Sequence, residues 1–147
     1  GIGAVAADGT RVLDDHLIRM LRVSDAYIDK VTASETAEAR RRLALFRGTR
    51  ASAPLRGRAV ILVDDGLATG GTARAALTVL LAEKPARLIF AAPVASTEGA
   101  ESVAALGVTT VFCAIPKHFQ GVGEWYEEFD QTSDEEVLAL LAEAATR

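Results

Sequence analysis

Residues 60–77 read VILVDDGLATGGTARAAL. Four aliphatic side chains run into two adjacent carboxylates, Asp64 and Asp65, and these into an uncharged stretch of glycine, threonine, alanine and leucine over residues 66–72. An apolar run, a small-residue turn and a second apolar run predict strand, turn and helix in that order. Unpaired carboxylates are costly in apolar surroundings, so the acids are expected at an open end of the strand rather than inside the core.

The pattern repeats outward from this unit. AVILVD is expected as a strand, TARAALTVLLAE as a helix, RLIFAAPVA as a strand, EGAESVAALG as a helix and VTTVFCAI as a strand. Apolar runs without alternation, separated by helices of about ten residues, predict parallel strands buried on both faces by crossover helices. The fold class is therefore α/β, with an open, mostly parallel sheet flanked by helices. Upstream, two short apolar runs around Asp8 and Gly9 predict a hairpin over residues 2–13. Asp14 and Asp15 suit the N-cap of a short helix. Ser24 and Asp25 suit that of a longer one, running to about Arg47 where Gly48 stops it. Residues 48–58 form a linker. Downstream come an irregular aromatic segment and a last helix, with Ser133 and Glu136 at capping-box spacing.

The chain has 147 residues, 50% of them hydrophobic, which suits one domain with a sizeable core. Its single cysteine, Cys113, excludes a disulfide framework, and a reducing cytoplasm fits that usage. No apolar run approaches the roughly 20 residues of a membrane span, so no membrane partner is expected. With a net charge of −4 and few aromatics, a broad nucleic-acid surface is not expected either. The chain opens on Gly1 inside an apolar segment that reads as a strand already under way. A single domain over residues 1–147, incomplete at its N-terminus, is the expectation.

In an open parallel sheet, ligands bind outside the carboxyl ends of the strands, where Asp64 and Asp65 lie. The turn into the next helix offers free backbone N–H groups and a favourable dipole to an anion, best of all a phosphate. Gly70 and Gly71 let the backbone curl closely, and Thr69 and Thr72 add hydroxyl donors. The acids would repel that phosphate, so they are expected to face another part of the ligand. A ribose diol fits, each carboxylate accepting a hydroxyl proton. A P-loop is excluded because no lysine follows these glycines, and the dinucleotide pattern is absent apart from a partial echo at Gly121 and Gly123. A phosphatase using Asp64 as nucleophile would want acids two apart, and these are adjacent.

VILVDDGLATGGT resembles, over all its positions, the phosphoribosyl pyrophosphate (PRPP) signature of type I phosphoribosyltransferases. GIGAV near the start, the arginine-bearing helix followed by FRG, and a late segment rich in Trp, Tyr and acids extend the likeness to a bacterial group of predicted phosphoribosyltransferases. The resemblance implies that Asp64 and Asp65 hold the ribose 2- and 3-hydroxyls. It places Ala68, Thr69, Gly70, Gly71 and Thr72 around the 5-phosphate. The activity implied is transfer of ribose 5-phosphate from PRPP to a small nitrogenous acceptor with release of pyrophosphate, helped by Mg²⁺. Asp64 and Asp65 would hold that ion through water, since hard cations take oxygen ligands and keep several waters. A catalytically silent PRPP-binding regulator of the same fold is the alternative, and a homodimer is the one assembly considered.

Two departures qualify the likeness. Hypoxanthine and guanine enzymes of the family typically carry an acid where this chain has Ala68, which argues against a 6-oxopurine acceptor. Nothing in residues 1–58 matches the family's pyrophosphate-binding loop, so a longer native product is expected, with this chain alone weakly active or inactive. Arg40, Arg41 and Arg42 lie where the family's mobile hood commonly sits and are candidates to close over pyrophosphate. A solvated face matched to the helix dipole is the equal alternative. Trp125 and Tyr126 are weighed between packing and stacking on the acceptor base. Lys117 is read as surface, Tyr27, Phe46 and Phe112 as packing, and His16 and His118 as neither ligands nor catalysts for want of partners at useful spacing.

Overall fold

A computed structural model describes residues 2–48, 50 and 53–146; residues 49, 51 and 52 of the expected linker lie outside the described residues. The chain opens with a hairpin, β1 (Gly3–Val5) paired antiparallel with β2 (Arg11–Leu13), in which Gly3 faces Leu13. Its turn needs Gly9 at a φ of 94°, and the Asp8 carboxylate accepts from the Thr10 N–H at 2.8 Å and the Thr10 hydroxyl at 3.0 Å.

Asp14 caps α1 (Asp15–Leu21) by accepting from the Leu17 N–H, and Ser24 caps α2 (Asp25–Arg47) by accepting from the Tyr27 N–H. Gly48, at a φ of 58°, ends α2 by donating to the Ala44 carbonyl. The alternating α/β unit follows: β3 (Ala59–Val63), α3 (Gly71–Ala82), β4 (Arg87–Val94), α4 (Thr97–Ala104) and β5 (Thr109–Ala114). A 3-10 turn at Val122–Trp125 precedes α5 (Asp134–Ala145), which carries the capping box of Ser133 and Glu136 and packs on α2.

The sheet of the α/β unit is parallel and ordered β3-β4-β5, with Ile61 beside Ile89 and Ala91 beside Val111. Its core joins Leu88, Phe90 and Ala92 of β4 to Ala73 and Leu77 of α3 and Val103 of α4, with Val60, Leu62 and Phe112 packed against them. Two-faced burial is where the structure departs from the sequence reading. Both crossover helices pack on the face that carries Val60, Leu88 and Phe112. On the other face Ile61, Val63 and Val111 are 61%, 69% and 53% exposed. The strands progress in one direction across the sheet, so the two crossovers fall on one side, and no described element covers the second face.

The hairpin packs on α3 rather than on the sheet. It therefore stands beside the N-terminal end of α3, the end that follows the acid pair, and this placement forms the site.

Candidate functional site

Asp64 and Asp65 leave the carboxyl end of β3, whose last ladder contact is the Asp64 N–H donating to the Ala91 carbonyl at 3.1 Å. The Asp65 N–H then donates to Asp64 Oδ1 at 3.0 Å. Asp64 is half-buried and Asp65 exposed. Burial holds the Asp64 carboxyl above the usual carboxylate range and the neighbouring Asp65 charge pushes the same way, against the Asp65 N–H bond, which lowers it.

Beyond the acids, Leu67 is buried at 2% exposure and tied to the end of β4: its N–H donates to the Val94 carbonyl at 2.9 Å, and its carbonyl accepts from the Ser96 N–H at 2.8 Å. The next two carbonyls are drawn the same way, toward α4. Ala68 accepts from the Ser96 hydroxyl at 2.5 Å, and the Ser102 hydroxyl, which donates to the Gly99 carbonyl at 2.8 Å, lies 3.3 Å from the Thr69 carbonyl. All described peptide bonds are trans, and a trans peptide points its N–H opposite its carbonyl. The N–H groups of Ala68 and Thr69 thus point opposite carbonyls engaged by Ser96, and both residues line a cleft that Glu98 and Ser102 of α4 also border.

Two glycines allow this fit. A Cβ on Gly99 would lie 2.4 Å from the Ala68 carbonyl oxygen, so only glycine lets α4 approach the loop. Gly70 sits at a φ of 82°, and a Cβ there would lie 2.3 Å from the Ser102 hydroxyl. Gly70 also opens α3 without a side-chain cap, which leaves the first N–H groups of a twelve-residue helix for a ligand. The result is a set of backbone N–H groups at a positive helix end, with hydroxyls at Thr69 and Thr72, an arrangement chemically suited to an anion, with two carboxylates at its rim.

The cleft holds about 790 Å³ and is closed on its other side by Val12, Leu13, Asp14, Asp15 and His16 of the hairpin and α1. Asp64, Asp65, Ala68, Thr69, Gly70, Gly71 and Thr72 all line it. His16, which has no ligand partners at useful sequence spacing, stands in its wall, placed there by the docking of the hairpin on α3. Ser96, Gly99 and Ser102 are the residues that sequence reasoning missed. Their spacing puts them on one face of α4, but the carbonyls they address lie far away in sequence. A larger groove of about 1070 Å³ between the hairpin and α2 is lined mainly by apolar groups such as Leu21, Tyr27, Ile28 and Val31. It lacks the converging backbone donors that an anion needs.

The arginines are not brought to the cleft. Arg40 donates to the Ala7 carbonyl at 2.8 Å, clasping the hairpin turn. Arg41 pairs with both oxygens of Glu38 and with Asp134 at 2.9 Å, and Arg42 pairs with Glu38 at 2.8 Å. Arg40 and Arg41 join α2 to its surroundings, while Arg42 pairs within α2 and borders the apolar groove. Trp125 is 45% exposed and Tyr126 turns its hydroxyl to the Asp65 carbonyl; neither lines the cleft, which Val122 of the same segment does. Among the described residues no group of three or more His, Cys, Asp or Glu side chains is arranged to hold a metal ion. Also among them, no helix is long and apolar enough to cross a membrane.

Comparison with known proteins gives a consistent picture. Two proteins from two strains of Mycobacterium tuberculosis, each named a putative phosphoribosyl transferase, are 39% identical over 142 residues, covering 97% of this chain and 32% of theirs. The crystal structure of TT1426 from Thermus thermophilus matches with a TM-score of 0.74 at 38% identity, covering 97% of this chain and 67% of that one. The chain thus spans about a third of the length of those mycobacterial relatives. The phosphoribosyl transferase domain family matches residues 7–133, and with a strand, an acid pair and a glycine-rich turn in the order of the PRPP signature, the chain belongs to that family.

Proposed function

We propose that this domain binds PRPP and transfers its ribose 5-phosphate to a small nitrogenous acceptor, releasing pyrophosphate. The observation that carries this reading is the pairing of Asp64 and Asp65 with a loop whose Leu67 and Ala68 carbonyls are both tied back by Ser96. The loop receives the 5-phosphate through backbone N–H groups. The two carboxylates accept the ribose hydroxyl protons in charge-assisted bonds. Held at both ends, the sugar presents C1 in a fixed direction, and transfer depends mainly on alignment and electrostatic stabilisation. The nitrogen nucleophile bonds to C1 as the C1–O bond breaks, and the electron pair leaves with pyrophosphate.

Mg²⁺ bound to PRPP would neutralise the departing pyrophosphate. The donor set fits an ion held through water rather than a protein cage. Two adjacent carboxylates are too few ligands for full coordination, yet the Asp65 charge raises the cost of ionising Asp64, which a nearby cation relieves. On the acceptor side, Asp15 and His16 face the loop across the cleft and are the proposed neighbours of the nitrogen compound. Trp125, exposed beside the segment that borders the cleft, is the proposed stacking surface for its ring. The alternative, a PRPP-binding regulator without transfer, is favoured by one observation: Arg40, Arg41 and Arg42 have protein partners elsewhere and do not line the cleft.

Calorimetric titration with PRPP, ribose 5-phosphate and nucleoside monophosphates in the presence of Mg²⁺ tests the site. Asp64→Asn/Asp65→Asn is expected to weaken binding of each about tenfold or more, the loss of charge-assisted bonds at the diol. Equal affinity in the double variant would remove the acids from the ribose. Release of pyrophosphate from PRPP on adding nitrogenous acceptors separates the transferase from the regulator.

A further inference from the structure

The segment that follows β5 grips a single peptide unit of the acid loop from two directions. The Tyr126 hydroxyl donates to the Asp65 carbonyl at 2.6 Å, across 61 residues of sequence. The Val122 side chain fills the space beside Gly66, where a Cβ would lie 2.4 Å from a Val122 methyl. The Asp65 carbonyl and the Gly66 nitrogen belong to the same planar peptide, so its rotation is restrained at both ends. Tyr126 is itself oriented by the Phe129 ring, with centroids 5.1 Å apart. That ring in turn lies so close to Gly123 that a Cβ there would come within 3.0 Å of it.

This restraint passes to both acids. The direction of the Asp65 side chain follows from its backbone, and the Asp65 N–H donates to Asp64 Oδ1 at 3.0 Å. Tyr126, Asp65 and Asp64 are therefore linked in series. Packing does not explain the phenol: a phenylalanine ring would meet Phe129 equally well. A hydrogen bond at an exposed position competes with water and contributes little net stability. What the hydroxyl supplies is direction.

Resting on the reading of Asp64 and Asp65 as holders of the ribose diol, we propose that Tyr126 is a positioning residue for the acid pair. Its hydroxyl fixes the Asp65–Gly66 peptide so that the two carboxylates meet the 2- and 3-hydroxyls together. The segment after β5 thus governs recognition of the sugar without touching it.

The test compares ribose 5-phosphate with 2,3-dideoxyribose 5-phosphate by calorimetry, on the native chain and on Tyr126→Phe. The expected result is a loss of about five- to tenfold in affinity for ribose 5-phosphate, the scale of one directed hydrogen bond. Binding of the dideoxy sugar and the melting temperature should stay unchanged. A merely structural tyrosine would weaken both sugars alike, and that outcome, or no loss at all, overturns the proposal. If the native chain does not distinguish the two sugars, the diol reading itself fails and the positioning role falls with it.

Discussion

The Ser96 hydroxyl both donates to the Ala68 carbonyl at 2.5 Å and accepts from the Gly99 N–H at 2.8 Å. One side chain thus caps α4 and turns the phosphate loop. The two roles separate on substitution. Ser96→Ala removes an N-cap, which costs about 1 kcal/mol, and for a domain of this size that lowers Tm by about 2–4 °C. It also frees the Ala68–Thr69 peptide to rotate, so affinity for ribose 5-phosphate should fall about fivefold, the scale of one hydrogen bond. Thermal melts and titration of the same preparation check both; unchanged phosphate affinity alongside the lower Tm would confine Ser96 to capping.

Gly70 meets two constraints at once, a φ of 82° and the Ser102 hydroxyl 2.3 Å from where a Cβ would sit. Gly9, at a φ of 94° with nothing within 4 Å of its would-be Cβ, meets only the first. Gly9→Ala should therefore report backbone strain alone, about 1 kcal/mol. Gly70→Ala should cost about 2–3 kcal/mol, with strain and steric conflict combined, and should abolish phosphate binding. Adding Ser102→Ala to Gly70→Ala should recover the steric part and leave the strain. Denaturant titration of the native chain and the three variants checks this, and equal losses at Gly9 and Gly70 would show that Ser102 yields freely.

Much of this geometry is legible in the sequence. The caps at Asp14, Ser24 and Ser133, the stop at Gly48 and the hairpin around Gly9 are local chemistry, decided by residues within three or four positions of one another. The turn from β3 into α3 was legible for the same reason. What failed depends on distance. Nothing in β3 or β5 reveals that both crossovers lie on one face, so an apolar run reads as buried on two sides although Ile61 and Val63 are exposed. Likewise Ser102 and Thr69 meet across 33 residues, and Tyr126 and Asp65 across 61. The arginine run was legible in part: Glu38 stands at helical spacing from Arg41 and Arg42, which favours a paired surface over free cations.

That pairing gives a pH signature remote from the cleft. Hydrogen bonds from Arg41 and Arg42 hold the Glu38 carboxyl down at about 2, from an ordinary 4.5. A depressed folded-state value means that the unfolded chain binds the proton more readily. The contribution is therefore present above about 4.5 and is lost as pH falls toward about 2. Glu38→Gln should lower Tm slightly at neutral pH, and the gap to the native chain should close across that acid window. Because the pair is exposed, molar salt should also shrink the gap. A pH-independent gap would assign the effect to packing of α2 instead.

Asp64 should behave in the opposite sense. Burial raises its folded-state value above the unfolded one, so between the two the folded chain holds more protons. Stability then falls as pH rises through that window and stays level above it. Asp64→Asn removes the buried charge and retains an oxygen able to accept the Asp65 N–H. At neutral pH its Tm should equal or exceed that of the native chain. Binding should move the other way. Ribose 5-phosphate needs an ionised acceptor, so native affinity should rise with pH through the elevated Asp64 value, a rise missing in the variant. Inorganic phosphate, titrated in parallel, supplies the correction for ionisation of the ligand's own phosphate. Lower stability in Asp64→Asn at neutral pH would show that the carboxylate braces the loop; higher stability with weakened binding would show that the site keeps a destabilising charge in place for the sugar.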